Sequence, residues 1–188
     1  MKYKSASGSE FGSASKKRSG VASQAKARGL WKAECRDKNG NLKWVEMWEN
    51  LIVNEGLNYL LDAGLSGGTQ ITSWFLGLIN ASPTIAAGDT MSSHSGWTEN
   101  TAYDEATREA WTDGGVSGQS VSNSGSPAVF TGSTDGQTLG GAFLTSNSTK
   151  GGTSGTLYAV GEFSTTKNLD DGDTLTVTAT FTQADDGV

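Results

Sequence analysis

The sequence predicts a mainly β protein: a β-sandwich or jelly-roll-like domain with one short helix, preceded by an extended basic N-terminal arm. Many short segments alternate apolar and polar residues and are separated by Gly, Asn and Asp turns, which is typical of antiparallel sheets. Only one stretch, near residues 54–63, has helical spacing. The first 29 residues are rich in Ser, Ala, Gly and basic side chains, so we assign 1–29 to the arm and 30–188 to the domain.

The domain is expected to begin with a β-hairpin. Trp31, Ala33 and Cys35 alternate with charged residues, as in a half-buried strand. Asn39-Gly40 follows and favours a type I′ turn, in which both residues take a positive φ. The segment "LKWVEMWEN" then forms the return strand.

The segment "NEGLNYLLDAG" is the best candidate for a helix. Leu57, Leu60 and Leu61 are spaced i, i+3, i+4, which predicts one apolar stripe facing the core. Asn54 is suited to cap the N-terminus, and Gly64 is suited to end the helix in the left-handed conformation.

The remainder of the chain predicts further strands around one long loop. "SWFLGLI" is expected to be a buried strand, and residues 80–113 are expected to be irregular but packed, because they contain Trp97, Tyr103 and Trp111. Five later segments predict strands: "VSGQSVSNS", "AVFTG", "GGAFLTS", "TLYAVGEFS" and "DTLTVTATFTQ". In the last of these, apolar residues alternate with threonines, which suit the solvent face of a pleated sheet.

Charge is distributed unevenly along the chain. The net charge is -6, but residues 1–38 hold ten Lys and Arg against three acidic residues, whereas residues 39–188 hold four against 17. This predicts that the arm contacts an acidic surface, although a solvated tail is the plainer alternative. Because the acidic body would repel nucleic acid and no aromatic RNA-binding platform is visible, a protein partner is favoured over nucleic acid.

The arm is where we expect the contacts to lie. The predicted interface consists of its basic residues and one aromatic residue: Lys2, Lys4, Phe11, Lys16, Lys17, Arg18, Lys26 and Arg28. The single cysteine excludes an internal disulfide. No apolar run approaches the roughly 18 residues of a membrane helix, and we expect no signal peptide and no membrane partner.

The residue types used in catalysis are sparse. His94 is the only histidine, no G-x-S-x-G motif is present, and Cys35 is better suited to the core than to nucleophilic attack. Asp170, Asp171 and Asp173 only superficially resemble a calcium loop and favour a turn before the last strand. We therefore expect no enzymatic activity, metal or cofactor.

A second acidic cluster lies between residues 99 and 109. Glu99, Asp104, Glu105 and Glu109 lie close together in sequence, and paired carboxylates can cleave glycosides. We favour a solvated helical turn in which Arg108 pairs with Asp104, four residues before it.

The sequence also resembles a family of tailed-bacteriophage virion proteins. The resemblance is carried by "WENLIVNEGLNYLLDAGLSG", by the segment from "SWFLGLIN" to "GWTENTAYDEATREAW", and by "GTLYAVGEFSTTKNLDDGDTLTVTATF", and it spans roughly residues 30–182. It implies a structural protein made in the host cytoplasm and located in the virion. It supplies no catalytic residues.

Three functions follow as hypotheses. The first is a capsid decoration or cement protein, present in many copies, whose arm binds the major capsid protein and neighbouring copies of itself. The second is a tail, neck or fibre-attachment component. The third is a glycan-binding or glycan-cleaving module, in which exposed Trp97 and Trp111 would stack on sugars.

Overall fold

The computed structural model describes residues 25–185 and contains two antiparallel sheets that pack as a β-sandwich. The elements in chain order are β1 Ala25–Arg36, β2 Leu42–Glu49, β3 Leu51–Ile52, α1 Asn54–Leu61, β4 Phe75–Asn80, β5 Glu99–Asn100, β6 Glu109–Ala110, β7 Ser120–Ser122, β8 Ala128–Thr131, β9 Gln137–Thr145, β10 Leu157–Leu169 and β11 Thr174–Asp185. The predicted fold class, mainly β with one short helix, is confirmed. No described helix has the length and apolar character needed to cross a membrane.

The first sheet joins the two ends of the described chain. Its order is β2-β1-β11, and β7 and β8 both pair with the far side of β11. β1 and β11 pair over their full lengths, from Ala25 opposite Asp185 to Arg36 opposite Thr174. The first and last strands therefore lie side by side at the centre of this sheet.

The second sheet is built mostly from the middle of the chain. Its order is β3-β10-β9-β4, and both β5 and β6 pair with β4. The loop that contains these two short strands is otherwise irregular, but Trp97, Tyr103 and Trp111 are all buried in it. The prediction of an irregular but packed segment is therefore confirmed.

The core lies between the two sheets and is rich in aromatic side chains. Trp31 is fully buried and meets Trp48 and Phe181 edge-to-face, with ring centroids 5.9 and 6.0 Å apart. Trp48 in turn contacts Phe163 of the opposite sheet at 4.7 Å. Such offset aromatic pairs stabilise the core beyond the burial of their apolar area.

The first hairpin is present, but its predicted turn type is wrong. Gly40 has a φ of +84°, whereas Asn39 is not among the described residues with positive φ. The Gly40 N–H donates to the Asp37 carbonyl, and the Asp37 N–H donates to the Asn41 carbonyl. This is a three-residue loop that ends in a glycine bulge, and it is anchored by the Asp37 carboxylate, which accepts the N–H groups of Asn39 and Asn41.

The helix is present, but both predicted caps are wrong. The N-cap residue is Val53, which makes no side-chain capping bond. The helix continues past Gly64 through a π-helical turn, Asp62–Ser66, and ends at Gly67 with a φ of +78°. Gly64 therefore lies inside the helical segment.

The predicted boundary of the arm also needs correction. Residues 25–29 lie in β1 and pair with β11, although the sequence had assigned them to the arm. Among the described residues the domain thus begins at 25.

Candidate interaction surface

α1 is held against the second sheet by its backbone. The Val53 N–H donates to the Tyr158 carbonyl at 3.2 Å, and the Asn54 N–H donates to the Ala87 carbonyl at 2.8 Å. A Cβ at Gly56 would lie 2.2 Å from the Tyr158 carbonyl oxygen, so only glycine permits this approach. The Glu55 carboxylate also accepts the Leu157 N–H at 2.8 Å.

The helix face that packs inward differs from the one predicted. It consists of Gly56, Tyr59, Leu60 and Ala63, which are buried or half-buried. The predicted stripe is correct at Leu60, but Leu57 and Leu61 are 41% and 60% exposed. They point away from the core because the close approach at Gly56 fixes the rotation of the helix.

The exposed leucines line a groove at this end of the sandwich. We call it the α1 groove; its volume is about 520 Å³. Its lining residues come from β1, the helical segment and β11: Ala25, Ala27, Leu57, Leu60, Leu61, Leu65 and Gln183. Leu65 is 84% exposed, so the outer wall of the groove is almost wholly apolar and open to solvent.

The α1 groove continues into two smaller hollows with an aromatic floor. They measure about 230 and 140 Å³ and share Leu60, Tyr158 and Phe181. The rings of Trp74 and Tyr158 are 5.4 Å apart, and those of Tyr158 and Phe181 are 5.1 Å apart. A tyrosine ordinarily has a pKa near 10 and is neutral near pH 7, and burial raises the pKa of Tyr158 further, to about 12, so this phenol adds no charge to the floor.

The structure places only part of the predicted arm interface. Lys26 and Arg28 lie on β1 and are exposed, and Arg28 pairs with Glu49 at 2.6 Å. The other predicted contacts lie outside the described residues: Lys2, Lys4, Phe11, Lys16, Lys17 and Arg18.

The acidic turn before β11 forms ion pairs with a lysine of the same chain. Lys43 contacts the carboxylates of both Asp170 and Asp173. Burial opposes the charge on Lys43, but the hydrogen bonds that Lys43 donates to these carboxylates outweigh it and raise the pKa of the lysine. Within residues 25–185, no cluster of three or more His, Cys, Asp or Glu is placed to hold a metal ion.

The sequence predicted that Arg108 pairs with Asp104 in a solvated helical turn, and this prediction is wrong. It is 1% exposed and donates to both Glu99 carboxylate oxygens, at 2.9 and 2.7 Å. It also donates to the carbonyls of Asn147 and Gly152. This network joins the loop that contains Arg108 to the loop that contains Asn147 and Gly152. The ion pair of Arg108 with Glu99 therefore has a structural role.

The single cysteine and the single histidine both pack against other side chains of the domain. Cys35 is fully buried, and burial raises the pKa of its thiol to about 12, which keeps it protonated and unreactive. The His94 ring lies 3.9 Å from the Trp97 ring, and burial lowers the pKa of His94. The prediction that Cys35 belongs to the core is confirmed.

Neither tryptophan proposed for sugar stacking is accessible. Trp97 is 4% exposed and donates its Nε1–H to Asp89 at 3.0 Å. Trp111 is 9% exposed and donates its Nε1–H to the Ala179 carbonyl at 3.1 Å. The sugar-stacking hypothesis requires both to be exposed. The structure buries them instead, as the prediction of a packed loop implies, because both fill the core beneath the long loop.

The α1 groove was missed at the sequence level. A signal for it exists, because Leu57, Leu61 and Leu65 repeat every four residues beside a second stripe that already faces the core.

No family model, curated protein or solved structure matches the chain.

Proposed function

We propose that this protein is a non-enzymatic structural protein of a phage virion, and specifically a capsid decoration or cement protein that binds the shell of major capsid protein. The observation that carries the proposal is the separation of charge between the two ends of the chain. Residues 1–24 hold five Lys and Arg and one Glu, whereas residues 25–188 hold nine and 19. A basic segment thus leads directly into an acidic β-sandwich.

This arrangement suits a protein that attaches to a large acidic surface. An extended segment adds contact area without needing a core of its own. Each attachment can be weak, because many copies on one shell bind with avidity when they also contact one another. The α1 groove offers an apolar surface on the folded domain, and contiguous exposed apolar surface is typical of interaction sites. The resemblance to phage virion proteins supports the same assignment.

Copy number in the purified virion is the first test. Quantitative mass spectrometry against the major capsid protein should give about one copy per capsid subunit, or a simple fraction of that ratio. A ratio of a few per cent would instead assign the protein to the tail, neck or fibre attachment. Absence from the particle would contradict a virion role altogether.

A binding assay tests the role of the basic segment. Shells that lack the protein are mixed with the full chain, with a variant lacking residues 2–24, or with a variant in which Lys16, Lys17 and Arg18 are replaced by Ser. Both variants should bind far more weakly, and added salt should weaken binding of the full chain. The matched control replaces three basic residues of the first hairpin, Lys32, Arg36 and Lys38, with Ser and should bind normally. Normal binding by the truncated chain would contradict the proposal.

A further inference from the structure

β2 forms one edge of the first sheet, and part of its backbone has no partner strand among the described residues. The Asn50 N–H donates to the Gly29 carbonyl, which fixes the alternation of the β1–β2 ladder. The even-numbered residues from 44 to 48 therefore point their N–H and C=O groups towards β1. Val45 and Met47 point theirs away from β1, where no described strand pairs with them. Each of the two residues thus offers one donor and one acceptor at the edge.

The side chains at this edge are apolar and exposed. Val45 and Met47 are 42% and 60% exposed. They lie on the outer face of the first sheet, because the residues that alternate with them, Glu46 and Trp48, are buried against β10 of the second sheet. The edge therefore combines unpaired backbone groups with apolar side chains, which suits the addition of another strand.

This part of β2 lacks the features that normally keep a sheet edge from pairing with another chain. From Trp44 to Glu49 the strand contains no proline and pairs with β1 without a bulge. The one charged residue between these ends, Glu46, accepts the Ser164 N–H at 2.9 Å and pairs with Lys167 at 2.9 Å. Both partners belong to the same chain, so this charge does not oppose a strand that pairs at the edge.

The edge of β2 is complementary to itself. Two copies related by a two-fold axis at Glu46 would bring Val45 opposite Met47 of the second copy, and Met47 opposite its Val45. In both pairs the N–H and C=O groups point into the interface, so each pair exchanges two hydrogen bonds. A shift by two residues would place Lys43 or Glu49 opposite one of the apolar side chains. Only the register centred on Glu46 pairs the apolar residues of both copies with one another.

The flanking charges fit the same register. On β1, Lys32 lies opposite Met47 and Glu34 lies opposite Val45. Each row of side chains across the two joined sheets would begin at Lys32 of one copy and end at Glu34 of the other, so its ends carry opposite charges. The Glu49 residues of the two copies would lie at opposite ends of the interface, about 20 Å apart. No like charges are placed directly opposite one another.

We infer that two copies of the domain associate through β2, as antiparallel strands paired across a two-fold axis at Glu46, to form one continuous sheet. A contact of this kind uses the same edge of both copies and therefore closes as a dimer. At typical interface densities its hydrogen bonds correspond to roughly 400–800 Å² of buried surface, which is less than the ~1,200 Å² of a stable complex. The dimer is therefore weak and forms at high protein concentration. The inference stands whether or not the protein decorates a capsid.

Disulfide trapping tests both the partner and the register in the full-length protein. Isotopically heavy Val45→Cys chains and light Met47→Cys chains are mixed at high concentration under mild oxidation. The paired Cα atoms would be about 5.5 Å apart, within the range that a disulfide spans. Mixed heavy–light dimers should exceed heavy–heavy and light–light dimers several-fold, because each residue faces the other type across the interface. The native Cys35 is fully buried and does not compete.

A matched control mixes heavy Val129→Cys chains with the light Met47→Cys chains. Val129 is 40% exposed and lies on β8, at the other side of the same sheet, so mixed dimers should be rare. Three results would overturn the inference: a statistical mixture of products from the Val45 and Met47 variants, an equal yield of mixed dimers with the Val129 variant, or no disulfide-linked dimers.

Sedimentation equilibrium measures the association without any crosslink. The full chain should change from monomer to dimer as its concentration rises. Val45→Lys should stay monomeric, because a lysine would then face an apolar side chain in the interface, whereas Val129→Lys should behave like the wild type. Added salt should favour the dimer, because residues 25–188 hold nine Lys and Arg against 19 acidic residues and two such domains repel each other.

Other outcomes of the sedimentation experiment would contradict the inference. A monomer at every concentration, or assembly beyond the dimer, would overturn it. A dimer that dissociates on addition of salt would overturn it as well, by identifying the basic residues 1–24 as the source of the contact. Virion copy number and shell binding are measured separately, so failure here is distinguishable from failure of the proposed function.

Discussion

At the scale of single residues, Gly56 determines how α1 sits on the sandwich. A methyl group there would lie 2.2 Å from the Tyr158 carbonyl oxygen, which is backbone and cannot rotate away. We therefore expect Gly56→Ala to destabilise the fold by roughly 1–3 kcal/mol, in the range of overpacked core sites, although alanine is the better helix former. Thermal unfolding followed by circular dichroism measures this change.

Gly64 provides the matched control in the same helical segment. Nothing lies within 4 Å of a Cβ at Gly64, so Gly64→Ala is expected to be neutral or to stabilise by up to about 1 kcal/mol through helix propensity alone. Equal effects at the two glycines would contradict the close approach at Gly56.

The domain contains a buried ion pair, Arg108 with Glu99, and an exposed one, Arg28 with Glu49, and the two should differ in their contribution to stability. Arg108→Met would leave the Glu99 carboxylate, with 8% of its side chain exposed, without its cation, and we expect a loss of roughly 3–5 kcal/mol. Arg28→Met removes a pair whose side chains are 65% and 69% exposed, for which the expected loss is below about 1 kcal/mol. Urea unfolding followed by tryptophan fluorescence tests both. Similar losses for the two variants would contradict the structural role of Arg108.

At the scale of elements, the alternation of apolar and polar residues predicted the strands well, because a half-buried strand has one apolar face and one polar face. Helical spacing located α1 but did not show which face packs inward. Leu57 and Leu61 form one apolar stripe, and the stripe that packs inward is centred on Gly56, which has no side chain to signal burial. The turn type at Asn39-Gly40 failed for a related reason, since the carboxylate of Asp37 stabilises a longer loop than the dipeptide alone predicts.

The ion pair in the turn between β10 and β11 should make the stability of the fold depend on pH. The hydrogen bond from Lys43, with smaller help from the Gly136 N–H, lowers the pKa of Asp170. A carboxyl with a depressed pKa stabilises the fold above its unfolded pKa of about 3.9, and this contribution is lost as the pH falls through the folded value. We expect Lys43→Gln to be less stable than wild type at pH 7, with the difference in unfolding free energy shrinking below about pH 4.

The control for this prediction is Lys38→Gln, which removes an exposed lysine of the neighbouring turn. Its unfolding free energy should match wild type at both pH values. Should the deficit of Lys43→Gln stay constant down to pH 2–3, the Asp170 contact would not be its source.

At the scale of the whole molecule, the candidate surface depends on contacts that no local pattern encodes. The α1 groove exists because the start of β1 lies opposite Leu57 and Leu61, more than 30 positions later in the chain. Glu99 and Arg108 likewise meet through loop geometry rather than helical spacing. The sequence could indicate an amphipathic helix, a basic segment and an acidic domain, but their juxtaposition follows from the pairing of β1 with β11.

That pairing gives a last prediction about where the folding unit begins. β1 lies between β2 and β11, pairs with β11 over 12 positions and contributes the fully buried Trp31. A chain lacking residues 2–24 should therefore unfold in one cooperative transition, at a midpoint within a few degrees of the full chain. A chain lacking residues 2–36 should lose that transition, because β11 would present its whole length as an unpaired edge and the core would lack a tryptophan. Calorimetry of the two truncated chains makes the comparison, and a cooperative transition in the shorter one would place the folding unit elsewhere.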